Sequence, residues 1–142
     1  MKDEIYMEMA LQEAKKAYKK EEIPVGAIIV KNGKIICKAH NKKNRSNRVK
    51  DHAEMLVIDK ANRKLRNWRL EECEIYITLE PCPMCASAIE QARIKRIVTG
   101  AVNKNEDTKQ ISETILKGKE IKKGVKEKEC TSLINNFFKN KR

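Results

Sequence analysis

No stretch of this 142-residue chain approaches about 18 consecutive apolar residues, which excludes a transmembrane helix. The opening residues, Met1-Lys2-Asp3-Glu4-Ile5, lack the apolar core of a signal peptide and read as the start of an amphipathic helix. Acidic excess is missing too: 20 Asp+Glu stand against 32 Lys+Arg, a formal charge of +12. Histidine is scarce, at two residues, and the five cysteines are an odd number. Without a signal segment that count argues against a disulfide framework and leaves metal binding, redox chemistry or plain burial. The expectation is a soluble, cytoplasmic protein with no membrane attachment. With 40% hydrophobic residues the chain is globular rather than disordered, and its length suits one domain over residues 1–142. Positive charge attracts phosphate-rich partners, but Lys outnumbers Arg threefold, as a compositional bias of the source would also give.

Met7, Ala10, Leu11, Ala14, Ala17 and Tyr18 recur at helical spacing, and Pro24 stops that helix. Residues 25–30 predict a strand, Asn32-Gly33 a tight turn, and residues 34–39 the hairpin partner. Residues 40–51 form a polar loop carrying Lys42, Lys43, Arg45, Arg48 and Lys50. A helix is expected from about residue 52 to 65, with Val57, Ile58, Ala61 and Leu65 inward. Residues 75–79 are apolar nearly throughout, which predicts a strand buried on both faces. Pro81 opens a helix with an inner stripe of Cys85, Ile89 and Ala92, and residues 94–100 predict a strand parallel to the one before it. Beyond residue 102 the pattern gives a helix over 106–116, a charged connector over 117–128, and a helix over 129–138. That last helix turns Leu133, Ile134, Phe137 and Phe138 inward. Cys37, Cys73 and Cys130 read as small buried side chains, and Trp68 as core. The whole is α/β, with helices on both faces of a mixed sheet.

Two short motifs sit where elements begin. Cys82-Pro83-Met84-Cys85 places two sulfurs three residues apart in a first helical turn, on one side. The positive end of the helix favours their thiolates. An imidazole from His52 makes three ligands and leaves the fourth tetrahedral position to water, the pattern of catalytic rather than structural zinc. Zinc so held brings the pKa of water toward about 7 and supplies hydroxide as a nucleophile. Glu54, two residues from His52, is placed to carry protons without binding the metal. A redox pair is the other reading of Cys-x-x-Cys, and a closed structural site lacks an obvious fourth ligand, since His40 is the remaining histidine.

The chain resembles the zinc nucleobase deaminases, and most closely the bacterial tRNA-specific adenosine deaminases. The matching stretches are Ile23-Pro24-Val25-Gly26-Ala27, His40-Asn41, His52-Ala53-Glu54, Asn67-Trp68-Arg69-Leu70 and Tyr76 through Ala86. They continue with Ala92-Arg93-Ile94, Val98-Thr99-Gly100-Ala101, Glu129 through Leu133 and Phe137-Phe138. The resemblance implies a three-layer α-β-α cytidine deaminase-like fold with a mixed five-stranded sheet. It implies one Zn2+ per subunit on His52, Cys82 and Cys85, with Glu54 as the catalytic proton shuttle. Asn41, Val25, Ala53 and Pro81 would meet the substrate, and the working unit would be a homodimer. The reaction implied is hydrolysis of the wobble adenosine of a tRNA anticodon to inosine. Asn41 also reads as a loop residue capping its own backbone, and Val25 as an ordinary strand residue.

Two segments depart from the family. Arg48-Val49-Lys50-Asp51 stands where Asp-Pro-Thr-Ala is usual, and Val102-Asn103-Lys104-Asn105-Glu106-Asp107, opening an atypical segment over 102–110, where an Asp-Pro-Lys and a glycine-rich turn are usual. Both flank the site, which keeps a second reading open: deamination of a free base, nucleoside or nucleotide of guanine or cytosine type. A zinc-stabilised RNA-binding protein without activity is a third, against which Glu54 speaks. For the tRNA anticodon stem-loop, residues 42–50, Lys119, Lys122, Lys123, Lys126, Lys139, Lys141 and Arg142 are the expected phosphate contacts.

Overall fold

The computed structural model describes residues 2–140. Lys141 and Arg142, two of the expected phosphate contacts, lie outside the described residues, as does the side chain of Arg45. The elements run α1 (Lys2–Lys19), β1 (Gly26–Lys31), β2 (Lys34–His40), α2 (Lys43–Ser46), α3 (Ala53–Leu65) and β3 (Cys73–Leu79). They continue with α4 (Pro83–Gln91), β4 (Arg96–Ala101), α5 (Glu106–Ile115), β5 (Glu120–Lys122) and α6 (Glu127–Asn140).

Alternation along the strands decides the layering. In β1, Ala27 and Ile29 bury on one face, Ile28 and Val30 on the other; in β3, Ile75 and Ile77 alternate with Tyr76. A strand apolar on both faces needs helices on both. Met7, Ala10 and Leu11 of α1 and Cys130 of α6 cover Ile28, Val30, Tyr76 and Val98. Val57, Ile58 and Ala61 of α3 and Ile89 of α4 cover Ala27, Ile29, Ile75, Ile77 and Ile97. The sheet order is β2-β1-β3-β4-β5, with β1 antiparallel to both neighbours and β3, β4 and β5 mutually parallel. The carboxyl ends of β2, β3 and β4 therefore meet at one edge, beside the start of β1.

Five expectations change. The polar loop over 40–51 holds a single helical turn, α2, closed by Asn47 in left-handed backbone with its N–H on the Lys43 carbonyl. The connector over 117–128 contains β5, a three-residue edge strand whose register Ile97↔Ile121 rests on one apolar side chain. Trp68 is 56% exposed, because Leu70 fills the core slot and the Arg69 guanidinium lies 4.9 Å from the indole centroid. Phe138 is 48% exposed while its neighbour Phe137 is buried edge-on against Tyr18, since successive helical residues cannot face the same way. Cys37 is half-buried rather than buried, its thiol donating to the Val57 carbonyl. Among the described residues no helix is long and apolar enough to cross a membrane.

Candidate active site

The starts of α3 and α4 converge at the edge where the carboxyl strand ends meet. His52 is the residue before α3 and Cys82 the residue before α4, both in extended backbone, and neither side chain caps its own helix. Both side chains are thus free to turn toward one point, and two positive helix ends face it. Cys85, fully buried in the first turn of α4, completes the group. His52 Nδ1 lies 3.7 Å from Cys82 Sγ and 3.4 Å from Cys85 Sγ, and the three donor atoms lie within 4.8 Å of one another. A tetrahedral zinc with ordinary Zn–S and Zn–N lengths sets such N···S separations at about 3.6 Å, so the donor set fits that ion. All five cysteines are free.

Charge is distributed unevenly here. Cys82 is pulled down to about 4, first by the hydrogen bond from the Cys85 thiol and then by His52. Cys85 is driven upward by the same shared proton and by burial. The group thus offers a ready thiolate, with the second sulfur able to lose its proton to a cation. Glu54 is buried on the first turn of α3, and burial lifts its carboxyl to about 7. A carboxyl poised there can hold or release a proton near neutral pH.

Above these groups lies a cavity of about 300 Å3, walled by Val25, Asn41, His52, Glu54, Leu79 and Cys82. Ala53 and Pro81 are buried and are not part of this wall. Ala53 acts through its backbone, whose N–H donates to Asn41 Oδ1 at 2.7 Å. Asn41 so supplies the cap that His52 does not. Its oxygen is therefore committed, and its Nδ2 donor is what remains for a ligand.

Five further wall residues are Ile23, Lys43, Glu80, Asn103 and Thr108; of these only Lys43 is among the substrate contacts expected from the sequence. Glu80, next to Pro81 and buried, accepts the Asn103 N–H at 2.8 Å and faces Lys123 at 3.3 Å. The segment that lacks the usual glycines turns by side-chain bonds instead. Asn103 Oδ1 accepts from Asn105 N–H, and Asn105 Oδ1 caps α5 through Thr108 N–H. The one sequence signal for Asn103 and Thr108 is the departure of residues 102–110 from the family pattern. Residues 48–50 lie outside the wall, in an exposed basic loop closed by Lys42 N–H to the Asp51 carbonyl. A hollow of about 370 Å3 between Lys31, Leu65 and Glu72 lies at the opposite end of the sheet and holds none of these groups.

Residues 1–101 match the family described as the cytidine and deoxycytidylate deaminase zinc-binding region. The chain is similar to the tRNA-specific adenosine deaminase of Bacillus subtilis, 43% identical over 143 residues covering 96% of this chain and 89% of that protein. A structure solved in work on A-to-I editing by tRNA:A34 deaminases superposes with a TM-score of 0.83 at 36% identity, covering 90% of this chain and 97% of that one. The guanine deaminase of Bacillus subtilis gives a TM-score of 0.68 at 36% identity, covering 73% of this chain and 67% of that one.

Proposed function

The chain belongs to the cytidine and deoxycytidylate deaminase family, beside its tRNA-specific adenosine deaminases, and from that premise we propose that it deaminates the wobble adenosine of a tRNA anticodon to inosine. The observation that carries the reading is the His52, Cys82 and Cys85 cluster beside a buried Glu54, at the floor of a cavity large enough for one base. His52 Nδ1 and the two thiolates would hold one zinc per chain. When bound, zinc supplies the Lewis acidity that ionises water near neutral pH.

The reaction consumes one water, breaks the bond between adenine C6 and its amino nitrogen, and releases ammonia. Glu54 takes the first proton from the attacking water and passes it to the ring nitrogen. It then moves the remaining hydroxyl proton to the amine as that leaves, ending as it began. Asn41 Nδ2 donates to an acceptor on the base or sugar, and Val25 and Leu79 hold the base against the strand ends. Lys43 on the wall and the exposed Lys42 and Arg48 beside it suit a phosphate-bearing substrate. An unstacked loop nucleotide enters such a pocket at little unpairing cost. Sequence identity of 43% carried over 96% of this chain favours this substrate over free guanine, where a comparable identity, 36%, covers 73%. A homodimer working in the cytoplasm completes the reading.

The test is incubation of the zinc-loaded protein with total tRNA and, separately, with free bases and nucleosides. Inosine in the digested RNA is expected; ammonia from a free base alone would replace this reading with the small-molecule one. Glu54→Gln should keep its zinc and lose turnover by about 10²–10⁴, and retained turnover would remove Glu54 from its role.

A further inference from the structure

Behind Asn41, on the opposite face of the sheet, lies a buried acid–imidazole pair that the chemistry above does not use. His40 is the last residue of β2 and Asn41 the next, and their side chains leave by opposite faces. Asn41 turns toward α3, where its oxygen holds the Ala53 amide. His40 turns toward α1, where its Nδ1 lies 3.0 Å from Glu13 Oε1, and Glu13 Oε2 takes Lys16 Nζ at 2.7 Å. Glu13 and His40 are 5% and 7% exposed. The Glu13 carboxylate can only accept, so Nδ1–H donates, and burial opposes a second proton on the ring. Nε2 is then a buried lone pair with no partner among the described residues. Native folds leave few groups in that condition, and a leucine would fill the space without creating one. The pair is a costly way to pack this corner, which points to a use for its direction.

That use follows from topology. β2 is an edge strand, tied by its ladder to β1 alone, and edge-strand ends open readily. Its last residue pairs with Gly26, where α1 crosses so closely that a Cβ would overlap Ala10 O and Ala14 N. α1 is thus a firm anchor beside the strand end, and the Glu13 bond ties that end to it. We propose that Glu13 and His40 are positioning residues for Asn41, a clamp on the back of the sheet that fixes where its free amide donor points in the cavity. The proposal rests on the reading that Asn41 meets the substrate.

The experiment uses zinc-loaded full-length protein and an anticodon stem-loop RNA. H40L should raise KM about tenfold and leave kcat within about threefold. E13L should do the same, whereas E13Q, whose amide oxygen still accepts the Nδ1–H, should stay within about twofold of the parent. In an N41A background H40L should change KM by no more than about twofold, because a clamp acting through Asn41 has nothing left to position. Full multiplication of the two defects, or an E13L defect seen in melting temperature alone, overturns the proposal. A second readout needs no activity: exchange of the Ala53 amide should quicken about tenfold in H40L while the Ile28 and Ile77 amides keep their protection. Unchanged exchange at Ala53 overturns the proposal even if the RNA is a substrate. If the parent protein leaves the RNA unmodified, the functional reading fails and the exchange measurement still decides the clamp.

Discussion

Asn41 Oδ1 is held by the Ala53 amide at 2.7 Å, and this fixes the sense in which the side chain can read a ligand. Asn41→Asp keeps an acceptor for that amide but loses the Nδ2 donor and adds charge facing a polyanion. We expect kcat/KM to fall about 10²-fold, while unfolding free energy stays within about 1 kcal/mol of the parent. Equal losses in both would mean that Asn41 is only a cap. Cys85→Ala removes the fully buried sulfur of the cluster and should abolish zinc retention after dialysis, read by metal analysis, with a lower melting temperature. Unchanged zinc content would contradict the ligand set. At this scale the sequence was most informative. His52, Glu54, Cys82 and Cys85 announce themselves because helix starts force short spacings on groups that must share a point. Trp68 and Phe138 misled because size suggests burial, whereas each has a neighbour, Leu70 or Phe137, that takes the inward slot.

Elements long enough to show a period were legible; short ones were not. α1, α3 and β3 carry several apolar residues at 3.6 or 2 spacing, but β5 is Glu120, Ile121 and Lys122 inside a lysine-rich stretch. Its existence depends on the exposed edge of β4, not on its own composition. The turn over 102–105 was equally opaque, since asparagine side chains do there what glycine does elsewhere. The packing of α1 on the sheet makes a sharper prediction. A Cβ at Gly26 would meet the backbone of Ala10 and Ala14, and neither can give way without moving the helix. Gly26→Ala should therefore cost about 1–3 kcal/mol in urea denaturation. A neutral result would mean that α1 can move away from β1 at no cost to its packing.

Across the molecule, charge is spent on holding layers together as well as on attracting a partner. Lys119 donates to the Ile94 carbonyl, Lys122 pairs with Asp3, Lys123 with Glu80 and Glu113, and Lys126 with Glu8 and Glu129. These four lysines are thus already engaged, as Lys50 is by Asp51 at 2.9 Å, and Lys42, Lys43 and Arg48 of the loop over 42–50 are the better candidates for phosphate. At the far edge Arg96 joins Asp3 of α1 at 2.8 Å to Glu74 of β3 and Glu120 of β5. The Arg96 guanidinium, first of all, holds the Asp3 carboxyl well below its usual range. Asp3 stays ionised in the fold at a pH where the unfolded chain has taken up its proton. Its contribution is therefore whole above the ordinary carboxylate pKa and is lost as pH falls toward the depressed one. Asp3→Asn should lower stability by about 1–3 kcal/mol at neutral pH, and the gap should close as pH drops below 3.8. Urea melts on both sides of that value check this; a gap independent of pH would remove the ion pair as its cause.

The amino-acid order alone determined the chemistry, because a zinc-type donor set and a proton carrier need particular side chains at helix starts, and spacing along one chain records that. It also determined the two-faced strands, since burial on both sides leaves a continuous apolar run. Only the tertiary structure decided which distant residues wall the cavity: Lys43, Glu80, Asn103 and Thr108 meet there because strand ends from separate parts of the chain share one edge of the sheet. The partnership of Glu13 with His40 was decided at that level too, since a contact between α1 and β2 across the back of a sheet leaves no period or motif in either segment.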